Sequence, residues 1–545
     1  MEKIKKILPF IYFFVLVAII LGPILYSKGM FFLLDYIPHD IGINIDTYLN
    51  GGRTFNEIPI RFLFSLSYKV LGANIAERLF FSGSLFLAGL CLFYSLPKKM
   101  GLFPRLAAGT FYIINPFVYE RFMSGHIFVL LGYAMLPICF MYFQKIFYTK
   151  ELKGIDIFMS ALFWTLTIMC SAHFLVITGI LFAIAALTKF CCELPKMNKK
   201  NISRHLLSII KVVFYLIILN LFWIIPSLFY HPALIESFDI NHFYAFKTAS
   251  DPKFGSFINV LGMYGFWREA TTNEIMLAKN YLPFWPSFLI PFFLLIIIGW
   301  KKIFKTNTSL AYTTIVLFLI VMFLTAPYDF VYNVFLTIPG FSGMREPEKI
   351  SSILLLIYAI MAGYGLDYLQ KRWSKYWGNI TILLFFIWVI VFSYKFLWGA
   401  NNQIKTFSYP LSYLKMHEIS QYKKNVLVLP WKMYARYQFG NGRTIIDPTR
   451  IFFESDVLAT SDIGIDIIDK EQNYSGKEEL IRKILKINDS QIWSESLEKI
   501  GMEYVFVNKI NDDPKQKFDD TFLRKSNQFE LIYEDDLATI FQIKR

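Results

Sequence analysis

Apolar runs of about twenty residues, each long enough to cross a bilayer as a helix, recur along this chain and narrow the folds open to it. In hydrocarbon every backbone N–H and C=O must find its partner inside the protein, so a spanning segment has few shapes to choose from. Read against the Lys/Arg loops, the runs give about eleven crossings, centred on 8–27, 76–96, 106–119, 128–147, 156–171, 173–190, 207–228, 284–300, 309–326, 350–369 and 379–398. Of 545 residues, 55% are hydrophobic and 18% charged, too few charges to coat the several soluble cores such a length would form. The first run, Leu8 to Tyr26, follows MEKIKK but is long for a signal-peptide core and lacks a small-residue cleavage site; a retained helix is expected.

The loops fall into two classes. Lys3/Lys5/Lys6, Lys98/Lys99/Arg105, Lys150/Lys153, Lys196/Lys199/Lys200/Arg204, Lys301/Lys302/Lys305 and Lys371/Arg372/Lys375 mark one side, cytoplasmic by the positive-inside bias, and they carry the N-terminus. The alternate loops 28–75, 120–127, 230–283 and 327–349 are rich in carboxylates, aromatics and prolines and are expected outside. An odd number of crossings puts 400–545 outside too. The expected fold is therefore mainly α: a polytopic membrane domain, 1–399, followed by a small extracytoplasmic α/β domain, 400–545. In that tail NVLVL (425–429) is a buried-type strand ending at Pro430, LEKIGMEYVFVNK (497–509) a helix end, a glycine stop and a strand, and 529–543 a hairpin turning at Glu534-Asp535-Asp536.

The net charge of +14 does not point to nucleic acid. From Asn401 onward the chain has 21 basic and 22 acidic residues, so the excess lies in the short loops of the membrane part. All five cysteines lie in or beside apolar runs, leaving the tail without a disulfide framework, and Cys191-Cys192 lacks metal-ligand spacing. No Walker loop, G-x-G-x-x-G after a strand, G-x-S-x-G or H-E-x-x-H occurs. FGNGRT (439–444) reads as a turn, and GYGLD (363–367) as small residues serving helix packing.

Sorting polar residues by side gathers one set at the external mouth of the bundle. Asp35 and Asp40 (FFLLDYIPHD) follow the first crossing. Glu120, Arg121 and His126 (NPFVYERFMSGH) follow the third, His173 (SAHF) sits between the fifth and sixth, and Arg345, Glu346, Glu348 and Lys349 (GMREPEK) open the tenth. Convergent charge at one depth of a bundle is a site hypothesis by default. Pro38 blocks helix continuation and pins Asp35 near the interface, whereas Asp46 and Glu57 read as solvated loop. Glu120-Arg121 is equally an interfacial ion pair, and His173 reads first as a polar group satisfied between helices. IPIRFLFSLSYKVLG (58–72) spaces Arg61, Ser65 and Lys69 at i, i+4 and i+8, an amphipathic helix suited to lie in the interface. In loop 230–283, Tyr244, Phe246, Tyr264, Trp267 and Tyr281 suit either stacking on sugar rings or an interface belt.

An aspartate close behind the first helix, an interfacial helix, many crossings and an external C-terminal domain resemble the C-type (GT-C) membrane glycosyltransferases. NPFVYERFMSGHIFVLLGYAMLPI (115–138), GMREPEKISSILLLIYAIMAGYGLDYL (343–369) and VLVLPW (426–431) are similar to the arabinofuranosyltransferase-like and YfhO-like prokaryotic membrane proteins of that group. The resemblance implies a GT-C-like bundle in the cell membrane that moves sugar from a polyprenyl-phosphate-linked donor to a glycan, lipid or protein acceptor, with inversion. Asp35 would be the general base, with Asp40 as its substitute, and Arg345 followed by Lys349 would stabilise the phosphate leaving group. Glu120, Arg121, His126 and His173 would be secondary, acceptor or metal candidates; the resemblance leaves a divalent metal (Mg or Mn) open, and no ligand spacing compels it. A lipid flippase or transporter, or a non-catalytic GT-C scaffold, is the alternative; transporters place their charges near the bilayer midplane, and here they collect at helix ends.

Overall fold

The computed structural model describes all residues except 1, 39–48, 50–53, 149–151, 194–198, 231–238, 271–274, 339–340, 422–423, 438–442, 454–455, 461–475, 511–516 and 545. Its contacts divide the chain into two compact units. One comprises Met1–Leu25, Gly42–Leu66 and Arg78–Gln403, the other Tyr26–Ile41, Ser67–Glu77 and Ile404–Arg545.

The chain is a polytopic membrane protein. Among the described residues eight helices are long and apolar enough to cross a membrane, and a ninth if Thr308–Leu324 and Asp329–Thr337, bent by 104°, form one broken span. That is fewer than the eleven expected, and local chemistry explains the difference. The expected crossing 106–119 splits into α1 (Leu102–Ile113) and α2 (Pro116–Met123). Pro116 has no N–H to continue a helix, and Asn115 is extended (φ −156°, ψ 163°) with its side chain accepting from Val118 N at 3.0 Å. It thereby caps a new helix at a corner. The expected crossing 156–171 forms α3 (Gly154–Cys170), apolar but only 17 residues long.

Three further helices frame the site: α4 (His173–Glu193), α5 (Leu289–Thr306) and α6 (Ser351–Arg372). The span containing α6 is 94% buried, against 17% for Ile202–Phe229, so α6 runs through the middle of its unit and the latter at its edge. Small residues let α5 and α6 approach at backbone distance. A Cβ on Gly365 would meet Leu295 O at 2.5 Å, the packing role expected of GYGLD. The expected amphipathic helix forms over Ile58–Leu71 and leaves Phe62, Leu63, Leu66 and Val70 exposed.

In the second unit a five-stranded sheet has the order β4-β1-β5-β7-β6. Its strands are β1 (Val426–Leu429), β4 (Val457–Leu458), β5 (Tyr504–Asn508), β6 (Phe529–Glu534) and β7 (Ala538–Ile543), while β2 (Tyr434–Arg436) pairs with β3 (Thr444–Ile446). β1 runs parallel to β4 and β5; β7 is antiparallel to β5 and β6. Val426 and Val428 enter one core with Tyr413 and Phe506, and Leu427 and Leu429 enter another with Trp493 and Phe541. Both faces of β1 are covered, hence its unbroken apolar run. Gly501, at φ +78°, ends the preceding helix in the left-handed region. Part of the first loop belongs to this unit: Met30 and Phe407 exchange two backbone hydrogen bonds of 2.7 Å, and Phe32 and Ile37 enter its core. The expected turn at FGNGRT falls largely outside the described residues.

Candidate functional site

The corner at Asn115-Pro116 delivers Arg121, on α2, into the interior. Its guanidinium is fully buried and grips two carboxylates: Nη1 lies 3.2 Å from Glu346 Oε2 and Nη2 2.6 Å from Glu348 Oε1. Phe117 and Phe266 lie against it at 5.5 and 4.6 Å. His126 Nδ1 is 3.2 Å from Nη1; a guanidinium can only donate, so Nδ1 accepts. The two carboxylates stand at the start of α6, where Pro347 opens a turn over Pro347–Ile350 and Lys349 N bonds Glu346 O at 3.2 Å. Lys349 Nζ reaches Glu346 Oε1 at 3.0 Å and His173 Nε2 at 3.2 Å. An ammonium also only donates, so Nε2 of His173 accepts and the ring proton sits on Nδ1, 2.9 Å from Ser171 Oγ. Burial pushes the Glu346 carboxyl up, but Lys349, Arg121 and Arg345 outweigh it and hold it well below the usual carboxylate range.

Beside this network lies a cavity of about 410 Å³. Its polar lining includes Asn56, Glu57, His173, Arg345, Glu346 and Lys349, and its apolar lining Ile168, Leu175, Val176 and Trp223. The Arg345 guanidinium is seated on Phe246 at 4.5 Å. Cations beside an aliphatic and aromatic wall suit an amphiphile with an anionic head.

Glu120 departs from its neighbour. Successive helical residues point about 100° apart, so Glu120 enters a second buried cluster, beside Glu269. Glu269 accepts from Lys279, from Gly265 N and, at 3.0 Å, from Asn259 Nδ2. Burial, and then Glu269, raises the Glu120 carboxyl well above its usual range, so Glu120 holds its proton. Folding then takes up a proton, and stability falls as pH rises from the unfolded value of about 4.3 towards the raised folded one. Glu120→Gln, which fixes the neutral form, is expected to flatten the fall in thermal stability as pH rises above the unfolded carboxylate value and to leave the protein at least as stable at the alkaline end of the series. A melting-temperature series in detergent reads this out, and an unchanged slope contradicts it.

Of the residues singled out from sequence, the structure thus gathers Arg121, His126, His173 and Lys349, with Glu346 and Glu348, into one network, places Arg345 in the lining of the adjoining cavity, and sets Glu120 in another cluster. Asp35 belongs to the second unit; it is exposed and accepts from Tyr434 Oη at 2.8 Å. Asp40 lies outside the described residues. Among the described residues no group of three His, Cys, Asp or Glu side chains is placed to hold a metal ion. The described residues therefore offer no ligand set for the metal that the resemblance leaves open. Of the loop aromatics, Phe246 serves Arg345 and Tyr264 serves Lys279. Sequence reading missed Glu269 and Lys279, which stand in a loop read for its aromatics, and took Glu57 for solvated loop.

No family model matches the sequence, and no curated protein matches it. Solved structures do. The cryo-EM structure of arabinofuranosyltransferase AftD from Mycobacteria superposes over 100% of this chain at TM-score 0.64 and 12% identity. A mutant of the same protein does so at TM-score 0.62 and 12% identity. The chain has a GT-C-like fold. This GT-C-like chain spans 40% of the first of those AftD chains and 42% of the second. The Archaeoglobus fulgidus oligosaccharyltransferase matches over 92% of this chain and 65% of its own at 10% identity, but at TM-score 0.48 nothing rests on it.

Proposed function

We propose that this chain is a membrane glycosyltransferase. It takes a sugar from a polyprenyl-phosphate carrier on the extracytoplasmic face of the cell membrane, where the C-terminal unit also lies, and passes it to a glycan, lipid or protein acceptor. The observation that carries this reading is the cavity, where Arg345 and Lys349 stand beside an apolar wall. A polyprenyl phosphate has that polarity, an anionic head on a long hydrocarbon. The likeness to an arabinofuranosyltransferase supports the class of reaction.

In the proposed reaction the acceptor oxygen attacks the anomeric carbon from the face opposite the phosphate, giving inversion. Asp35, with Asp40 as its substitute, takes the acceptor's proton. The bond from the anomeric carbon to the phosphate oxygen breaks, and the departing phosphate is stabilised by Arg345 and Lys349. A phosphate leaves readily, so no general acid is required. Glu346, bonded to Lys349 at 3.0 Å, keeps that ammonium in place between substrates.

The test is turnover, by the protein in its own cell membranes, which supply the acceptor, of undecaprenyl phosphate carrying arabinofuranose or a hexose, followed as released undecaprenyl phosphate. Asp35→Asn is expected to lower kcat about 10²–10⁴-fold with donor binding kept, and Arg345→Gln with Lys349→Gln to raise the donor KM. Movement of the lipid across vesicles without cleavage supports the flippase reading and removes the transferase. Unchanged turnover in Asp35→Asn removes Asp35 as base.

A further inference from the structure

Glu57 shares the cavity with Arg345 and Lys349, and neither the phosphate nor the base uses it. Its place is fixed from three directions. The turn Phe55–Glu57 is closed by Glu57 N to Thr54 O at 3.3 Å, Phe55 is buried, and Asn56 Nδ2 donates to Ile168 O at the end of α3, at 2.7 Å. Within the carboxylate the two oxygens differ. Oε2 takes both bonds from Arg61, Nε at 2.9 Å and Nη2 at 2.6 Å. Oε1 accepts no hydrogen bond from any described residue, and the side chain keeps 16% of its surface exposed, in a lining position.

We propose that Glu57 binds the sugar of the donor through a hydroxyl group; this rests on the transferase reading and adds to it a sugar subsite. A carboxylate oxygen paired with arginine accepts only, so its partner must carry a donor. In a lipid-linked sugar phosphate the isoprenoid carries none and the phosphate answers to Arg345 and Lys349, which leaves the sugar hydroxyls. Trp223, in the same lining, supplies the flat apolar face on which a sugar ring packs. Glu57 thereby makes the site distinguish a loaded carrier from the spent one, which has lost its hydroxyl-bearing ring, and so favours product release over product inhibition.

The experiment measures binding by the full-length protein in detergent. The probes are undecaprenyl phosphate and the same lipid carrying arabinofuranose or a hexose. Wild type is expected to bind a glycosylated form about tenfold more tightly than the bare lipid, the scale of one hydrogen bond to a charged group. Glu57→Leu, which can neither accept nor donate, is expected to lose that preference while keeping its affinity for bare lipid. Arg61→Met, which removes the ion pair but not the carboxylate, controls for folding and is expected to retain the preference. A full preference surviving in Glu57→Leu, or wild type binding loaded and bare lipid equally, overturns the sugar subsite and leaves the transferase standing. Wild type binding none of these lipids overturns both.

Discussion

Arg121→Met is expected to destabilise the protein by about 3–5 kcal/mol, the cost of removing one partner from a buried ion pair. The guanidinium has no exposed surface and holds Glu346 and Glu348 together. Methionine fills similar space and packs against Phe117 and Phe266, so the loss isolates charge rather than volume. Glu346 keeps Lys349, but Glu348 retains no partner for Oε1, and its Oε2 already has none. Glu348→Gln added to Arg121→Met is therefore expected to restore part of the lost melting temperature. Arg121→Lys should fall between, since an ammonium cannot span two carboxylates as the planar fork does. A shift in Arg121→Met no larger than that of a surface substitution would mean that the network contributes nothing.

Gly299→Leu is the second large effect expected. A Cβ at Gly299 would sit 1.8 Å from the carbonyl oxygen of Met361, 2.7 Å from its carbon and 2.9 Å from Gly365 N. These are backbone atoms of α6 and have no rotamer to move into. Any side chain must push α5 away from the central helix along its length. The cost should lie at or above the top of the usual about 1–3 kcal/mol for overpacking. Gly179→Leu is the control: it lies on α4 with nothing within 4 Å of its added Cβ, and should leave the melting temperature near wild type. Equal behaviour of the two variants refutes the close approach of α5 and α6.

Much of this architecture was legible because hydrocarbon imposes it. Run length located the helices, and glycines inside GYGLD pointed to a tight crossing. The split of 106–119 was also written in the chain, since Asn-Pro is a turn signal that hydropathy overrode. For the candidate site, sorting residues by side brought forward Arg121, His126, His173, Arg345 and Lys349, because helix ends on one side share a depth. Direction around a helix was not legible there: Glu120 and Arg121 are adjacent, and only the packing of α2 decides that they serve different clusters. Nor was the company kept by the first loop, whose Met30 pairs with Phe407 across most of the sequence. No local pattern announces a partner so remote. Glu57 was passed over because a lone acid in a polar loop looks the same whether water or a cavity surrounds it.

The corner at Asn115-Pro116 has a mechanical consequence. It frees eight residues, Pro116–Met123, to act as a short lever with a handle on either side. One handle, Arg121, is fastened to the two carboxylates flanking Pro347, beside Lys349; the other, Glu120, faces the cluster of Asn259, Glu269 and Lys279. Two buried charge clusters are thereby anchored to a single piece of eight residues.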